Sequence, residues 1–210
     1  MERELKTVEM VIDDENENGV NALSLVTTPA NEDETILLSK QSQEVNLSDL
    51  MNDINMVELA EVNNEEQLIM GLILSPDVLI YRRNAKTKEE YNITFSKETV
   101  KKAAHLYMKN LNNNNATVEH TKDKISGVTL VETWMVRDSK NDTSNTFGKE
   151  YNTGSWVGIL KVHEKDKWEE YKNNGTTNIS LEGVFTPKEV ETKLSATDKL
   201  NYLKSIVNKK

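Results

Sequence analysis

Ser180 and Glu182 stand two residues apart in the run Asn178-Ile-Ser-Leu-Glu-Gly-Val-Phe185. The run alternates as a β-strand does, and in a strand residues i and i+2 face the same way. A hydroxyl and a carboxylate would then lie side by side. A serine hydroxyl is a poor nucleophile until an imidazole takes its proton, and the imidazole needs a third group to fix its tautomer and balance its charge. The chain has three histidines. His105 falls on a helical stretch and His163 at a strand end among charged residues, where a surface or core-edge role is the ordinary fate. His120 ends the β-prone run Ala116-Thr-Val-Glu-His120, just before a polar turn. The mouth of a sheet gives a catalytic base both a fixed side chain and access to substrate.

Four carboxylates could orient that imidazole: Glu119, Glu132, Asp138 and Glu182. Glu119 is the neighbour of His120 and should point to the opposite face. Glu132 lies mid-strand beside Val131, Thr133 and Trp134, on a strand expected to pair with the one bearing His120. A carboxylate among Leu130, Val131 and Trp134 costs desolvation energy unless it is paired. Glu132 is therefore the preferred partner, with Glu182 second.

Other chemistries find no support. There is no His-x-x-x-His, Glu-x-x-His or EF-hand spacing, so no metal site is expected. With eight glycines and no phosphate-binding fingerprint, no nucleotide or other cofactor is expected either. The absence of cysteine removes disulfides, thiolate zinc sites and cysteine nucleophiles. A net charge of −9 disfavours nucleic acid and anionic membranes as partners. The longest apolar runs are far too short to span a bilayer. The opening Met1-Glu-Arg-Glu carries no hydrophobic signal core, which makes a cytoplasmic location the expectation.

The elements that must hold these residues can be placed from periodicity. Residues 4–12, 20–26 and 36–38 read as strands that pack on or precede the main domain (1–39). Residues 40–66 form a polar, acidic connector with a short helix on Leu47, Leu50, Met51, Ile54 and Val57. The main domain, 67–190, offers strands at 68–74, 78–81, 91–95, 116–120, 128–136, 155–162 and 178–185. A helix opened by Ser96 carries Val100, Ala103, Ala104, Tyr107, Met108 and Leu111 on one face and stops at the run Asn112–Asn115. A second helix, 164–172, turns Trp168 and Tyr171 inward and ends at Gly175. Residues 138–154 read as a flexible loop, and 191–210 as a C-terminal helix. Strands interspersed with helices in this order indicate an α+β fold, a small, mostly antiparallel β-barrel flanked by helices.

The order of these features resembles the prohead (capsid maturation) serine proteases of tailed phages, in their prophage-encoded branch. The similarity lies in Thr117-Val-Glu-His120, Gly127-Val-Thr-Leu-Val-Glu132-Thr-Trp134, Gly154-Ser-Trp156-Val-Gly-Ile-Leu-Lys-Val162, Trp168, Gly175 and Asn178-Ile-Ser180-Leu-Glu-Gly183-Val-Phe185, with Ala22 to Asn31 resembling the opening of that branch. It spans about residues 20–38 and 67–188. The resemblance implies a herpesvirus-assemblin-like fold, with Ser180 as nucleophile, His120 as general base and Glu132 as the acidic third member. Some relatives carry Arg after the serine; here Leu181-Glu182 follows, so the oxyanion hole has no assigned residue. The resemblance also implies scaffold and major capsid proteins as substrates, action inside the assembling prohead in the host cytoplasm, self-processing, and compatibility with a homo-oligomer. Such enzymes cut after Glu with a hydrophobic residue two positions upstream, and Leu59-Ala60-Glu61 fits, a cut that would release residues 1–61. The competing reading is a non-enzymatic head-assembly or scaffold protein with a degenerate protease fold.

Overall fold

A computed structural model of the chain describes residues 5–27, 36–38, 66–84 and 87–189. The strands are β1 (Lys6–Val11), β2 (Gly19–Val26), β3 (Ile36–Leu38), β4 (Leu68–Leu74), β5 (Ile80–Arg83), β6 (Glu90–Thr94), β7 (Ala116–Val118), β8 (Val128–Met135), β9 (Trp156–Val162), β10 (Asn178–Val184) and β11 (Thr186–Glu189). Two helices, α1 (Lys97–Lys109) and α2 (Lys165–Asn174), complete the α+β fold of these residues. The strands pair in three sheets, with orders β11-β1-β6-β5, β10-β2-β7 and β3-β4-β9-β8. Pairing is antiparallel except between β1 and β6 and between β2 and β7.

The expected barrel does not close among the described residues. β7 ends after three residues, and the chain then turns sharply through Glu119 and His120, both at positive φ. β8 takes β9 as its ladder partner, and only an isolated bridge, Ala116 to Ile125, spans the seam between β7 and the approach to β8. The His120 strand therefore pairs not with the Glu132 strand but with β2, which lies between it and β10. β1 and β2 occupy interior positions in two of the sheets, so the N-terminal strands are built into the same body as the later ones.

One large core joins the sheets and helices. Val20, Leu23, Leu25, Ile69, Val100, Tyr107, Trp156, Leu160, Trp168 and Ile179 belong to it. Tyr107 meets Trp156 edge-on with ring centroids 5.5 Å apart. Burying each such side chain stabilises the fold by roughly 1.5–3 kcal/mol.

α1 begins where expected, the Ser96 side chain accepting from the Thr99 amide, which satisfies one of the helix's free amides. Its buried face is Val100, Ala103, Ala104, Leu106 and Tyr107, whereas Met108 and Leu111 lie exposed at 42% and 79%. The helix stops before Leu111, whose φ of 56° leaves the helical region, so Leu111 never joins that face. The asparagines that follow then bind β2: Asn112 Nδ2 donates to the Val20 carbonyl, Asn115 Nδ2 donates to the Asn21 carbonyl, and the Leu23 amide donates to the Asn115 carbonyl. The run predicted as a plain stop thus also sets β7 beside β2.

Two further stretches depart from expectation. Residues 138–154 form a structured loop, with a 3-10 turn (Thr143–Phe147) capped by Asp142 and with Ser144 and Tyr151 buried. It closes over a second apolar cluster of Met70, Leu72, Val136, Val157 and Ile159. β11 escaped the sequence reading because it contains Pro187, which a strand at a sheet edge tolerates. The predicted connector helix, the Glu61 cleavage position and the C-terminal helix lie outside the described residues.

Candidate active site

β10 carries Ser180 and Glu182 on one face, and its register places Ser180 opposite Ser24 and Glu182 opposite Ala22 on β2. On the other side of β2, Ser24 is paired with Thr117 of β7. Three hydroxyl residues therefore form a row across the three strands, and all are buried, at 6%, 0% and 2% exposure for Ser180, Ser24 and Thr117. The alternate residues Ile179, Leu23, Leu25 and Ala116 belong to the large core, which holds the row in place.

His120 follows β7 immediately, and its Nδ1 lies 3.2 Å from Glu182 Oε1. Thr117 Oγ1 donates a hydrogen bond to the same carboxylate oxygen. Glu182 starts on β10 and these partners on β7, so its side chain crosses β2, where the facing residue is the small Ala22. His120 and Glu182 are part-exposed, at 46% and 30% of their side chains. The row of hydroxyls is therefore buried, while the imidazole and its carboxylate open to solvent.

The turn presenting His120 is unusual. Glu119 and His120 have φ of 48° and 54°, and the Thr121 amide donates to the Val118 carbonyl at 3.0 Å to close the turn. Two central residues at positive φ match the sign pattern of a type I′ turn, a geometry that favours Asn and Gly rather than Glu and His. Compensating contacts surround it. The Glu119 amide donates to the Leu25 carbonyl, Glu119 Oε1 accepts from the Thr27 amide at 2.7 Å, and Ser24 Oγ accepts from the His120 amide at 3.0 Å.

Of the sequence-predicted residues, the structure brings together His120 and Glu182, with Ser180 two residues along the same strand from that carboxylate. It does not bring Glu132 to them. Glu132 lies on β8, an edge strand of a different sheet, and is exposed. A register shift between Leu130 and Glu132 leaves Val131 45% exposed as well, so the desolvation that was to demand a partner for Glu132 does not arise. Glu119 accepts a hydrogen bond from the Thr27 amide. Asp138 caps the local turn through Lys140 and Asn141. His105 is exposed on α1, and His163 Nε2 lies 3.0 Å from Thr129 Oγ1. Sequence reasoning missed Ser24 and Thr117. The run Asn21-Ala-Leu-Ser24 gives the alternation of β2 but no sign of what it pairs with.

Among the described residues the Ser180 hydroxyl has no hydrogen-bond partner. Catalytic hydrogen bonds are often long without substrate and tighten when it binds. With Nδ1 turned to Glu182, Nε2 is the imidazole nitrogen left to receive a proton. The described residues contain no cluster of His, Asp and Glu fit to hold a metal ion, and no helix long and apolar enough to cross a membrane.

This β-rich α+β domain pairs a histidine with a glutamate, with a serine two residues from that glutamate on the same strand, the residue types that a serine hydrolase uses. A family model described as "Putative phage serine protease XkdF" matches residues 54–189, and the chain belongs to that phage serine protease family. No curated protein and no solved structure matches it.

Proposed function

We propose that the chain is the endopeptidase of phage head maturation, with Ser180 as nucleophile, His120 as general base and Glu182 as the acid that orients it. The observation that carries this reading is the 3.2 Å approach of Glu182 Oε1 to His120 Nδ1. An imidazole held at Nδ1 by a carboxylate presents Nε2 to a hydroxyl. Ser180 Oγ would attack the scissile carbonyl while Nε2 takes its proton. The tetrahedral intermediate would collapse to an acyl-enzyme as Nε2 returns the proton to the leaving amine. Water would then repeat the sequence, with His120 again as base, and release the new carboxyl terminus. Glu182 orients the ring and balances the charge of the transient imidazolium.

The substrates in this reading are the scaffold and major capsid proteins, met inside the assembling prohead, together with the chain's own connector at Glu61. Family membership supports proteolysis, and the assignment to head maturation rests on the order of the sequence motifs. The deciding experiment treats the purified chain with a fluorophosphonate probe and locates the adduct by mass spectrometry. Ser180 is expected to carry it, and Ser180→Ala and His120→Ala are expected to abolish both labelling and scaffold processing. Normal processing by both variants would overturn the reading and leave a non-enzymatic head-assembly role.

A further inference from the structure

Ser24 is fully buried on β2, outside the residues matched to the protease family, and in register with Ser180 on one side and Thr117 on the other. Its hydroxyl oxygen accepts the backbone N–H of His120 at 3.0 Å. We propose that Ser24 is a positioning residue that holds the His120 turn in its left-handed form and so keeps the imidazole on Glu182; this rests on the serine protease reading above.

The argument runs through the backbone. L-residues resist positive φ because the side chain crowds the following carbonyl, and here two in succession, Glu119 and His120, adopt it without a glycine. Such a turn persists only when its surroundings hold it. The Glu119 amide is held by the Leu25 carbonyl and the Thr121 amide by the Val118 carbonyl. Those two bonds come from backbone and would survive most substitutions. The His120 amide depends on a side chain, that of Ser24. Alanine at position 24 would leave that N–H with no acceptor from β2, and the turn would lose the side-chain bond that holds His120 at positive φ. Rotation at His120 would swing the ring from Glu182, because the ring is carried by the residue whose φ is held. The site would then depend on both ends of the chain order: a nucleophile and acid from β10, a base from the end of β7, and the anchor of that base from β2.

The test uses the full chain and compares wild type with Ser24→Ala, Ser24→Thr and Ser180→Ala. One readout is the second-order rate of fluorophosphonate labelling; the other is amide hydrogen exchange at His120, with the Leu23 amide, bonded to Asn115, as a nearby reference. The expected result for Ser24→Ala is labelling slowed at least tenfold and His120 exchange accelerated at least tenfold, with Leu23 protection unchanged. Ser24→Thr keeps the oxygen and should retain both properties to within about threefold. Adding Glu119→Asn, which suits a left-handed turn position, to Ser24→Ala should recover part of the labelling rate, an outcome that a merely space-filling serine would not give. If Ser24→Ala does not fold, Ser24→Cys, of similar size with a weak sulfur acceptor, takes its place with the same readouts. His120 exchange unchanged in the variant, or labelling at the wild-type rate, overturns the proposal. A wild type that is never labelled overturns the protease reading instead, while the exchange arm still decides what Ser24 does for the turn.

Discussion

Glu182 Oε1 stands 3.2 Å from His120 Nδ1 although the two residues belong to strands separated by β2. The same oxygen receives the Thr117 hydroxyl, so the carboxylate is held by a hydroxyl as well as by the ring. Replacing Glu182 by Gln should keep the shape but remove the charge that balances an imidazolium. Loss of a triad carboxylate costs about 10⁴-fold in rate in the best-studied serine proteases. A loss of about 10²-fold or more in labelling and processing rate is expected for Glu182→Gln, and a change within about twofold for the exposed Glu132→Gln. Steady-state rates of the two variants, measured side by side, decide between the carboxylates, and the reverse ranking would restore Glu132.

The strands that carry these residues were largely legible in the sequence. β2, β3, β4, β8, β9 and β10 fall within a residue or two of where alternation put them. Pairing was not legible. Alternation says which side chains share a face of one strand, but which strands become neighbours depends on turns and packing far along the chain. Glu132 shows the cost: its apolar neighbours suggested burial, whereas a register shift on an edge strand exposes it. Glu119 and His120 show another limit, since nothing in their residue types announces a left-handed turn. Pro187 hid β11, and the polarity of residues 138–154 hid a loop organised by Asp142.

Ala22 faces Glu182 across the β10–β2 ladder and is 4% exposed. A larger side chain there would occupy the route by which the carboxylate reaches Thr117 and His120. Overpacking a filled site costs typically ~1–3 kcal/mol, and Ala22→Leu should show a loss of that order in denaturant unfolding. The labelling rate of the folded fraction should fall as well, by an amount comparable to Glu182→Gln. Wild-type labelling by folded Ala22→Leu would mean that the carboxylate does not need this route.

Gly183 sits where β10 shifts register against β2. A Cβ added there would lie 2.4 Å from the Gly19 carbonyl oxygen, a backbone atom that cannot rotate away. Gly183→Ala must therefore part the strands at this point, one residue from Glu182. A destabilisation of about 1–3 kcal/mol is expected, together with slower labelling of Ser180. The same substitution at Gly148, where nothing lies within 4 Å of the added Cβ, contends only with its left-handed backbone and should leave labelling untouched.

Asp142 gives the loop over the second cluster a pH dependence. Partial burial pushes its carboxyl upward, but hydrogen bonds from the Ser144 amide, the Trp134 indole and the Ser144 hydroxyl outweigh that, and the group titrates below its ordinary value. A carboxyl lowered in the folded state contributes stability that is full above its unfolded value and is lost as pH falls through the folded one. The contribution should therefore be constant at neutral pH and fade below about pH 4. Unfolding midpoints followed by tryptophan fluorescence between about pH 6 and 2 should decline less steeply in Asp142→Asn than in wild type. Parallel curves would mean that Asp142 carries none of the acid sensitivity.

If the chain cuts itself at Glu61, its sheets decide what happens to the N-terminal fragment. β1 lies between β11 and β6, and β2 between β10 and β7. Releasing residues 1–61 would strip two interior strands, remove Leu23 and Leu25 from the core and leave the facing edges of β10 and β7 unpaired. Cutting the connector need break none of those bonds. A processed enzyme should therefore keep its N-terminal fragment as a noncovalent partner, because unpaired ladder groups and exposed core would oppose its departure. Size exclusion of processed protein should show both fragments in one peak under native conditions, separating only in denaturant. The two-fragment form should still label Ser180. Dissociation of the N-terminal fragment with labelling intact would show that β2 is dispensable to the site.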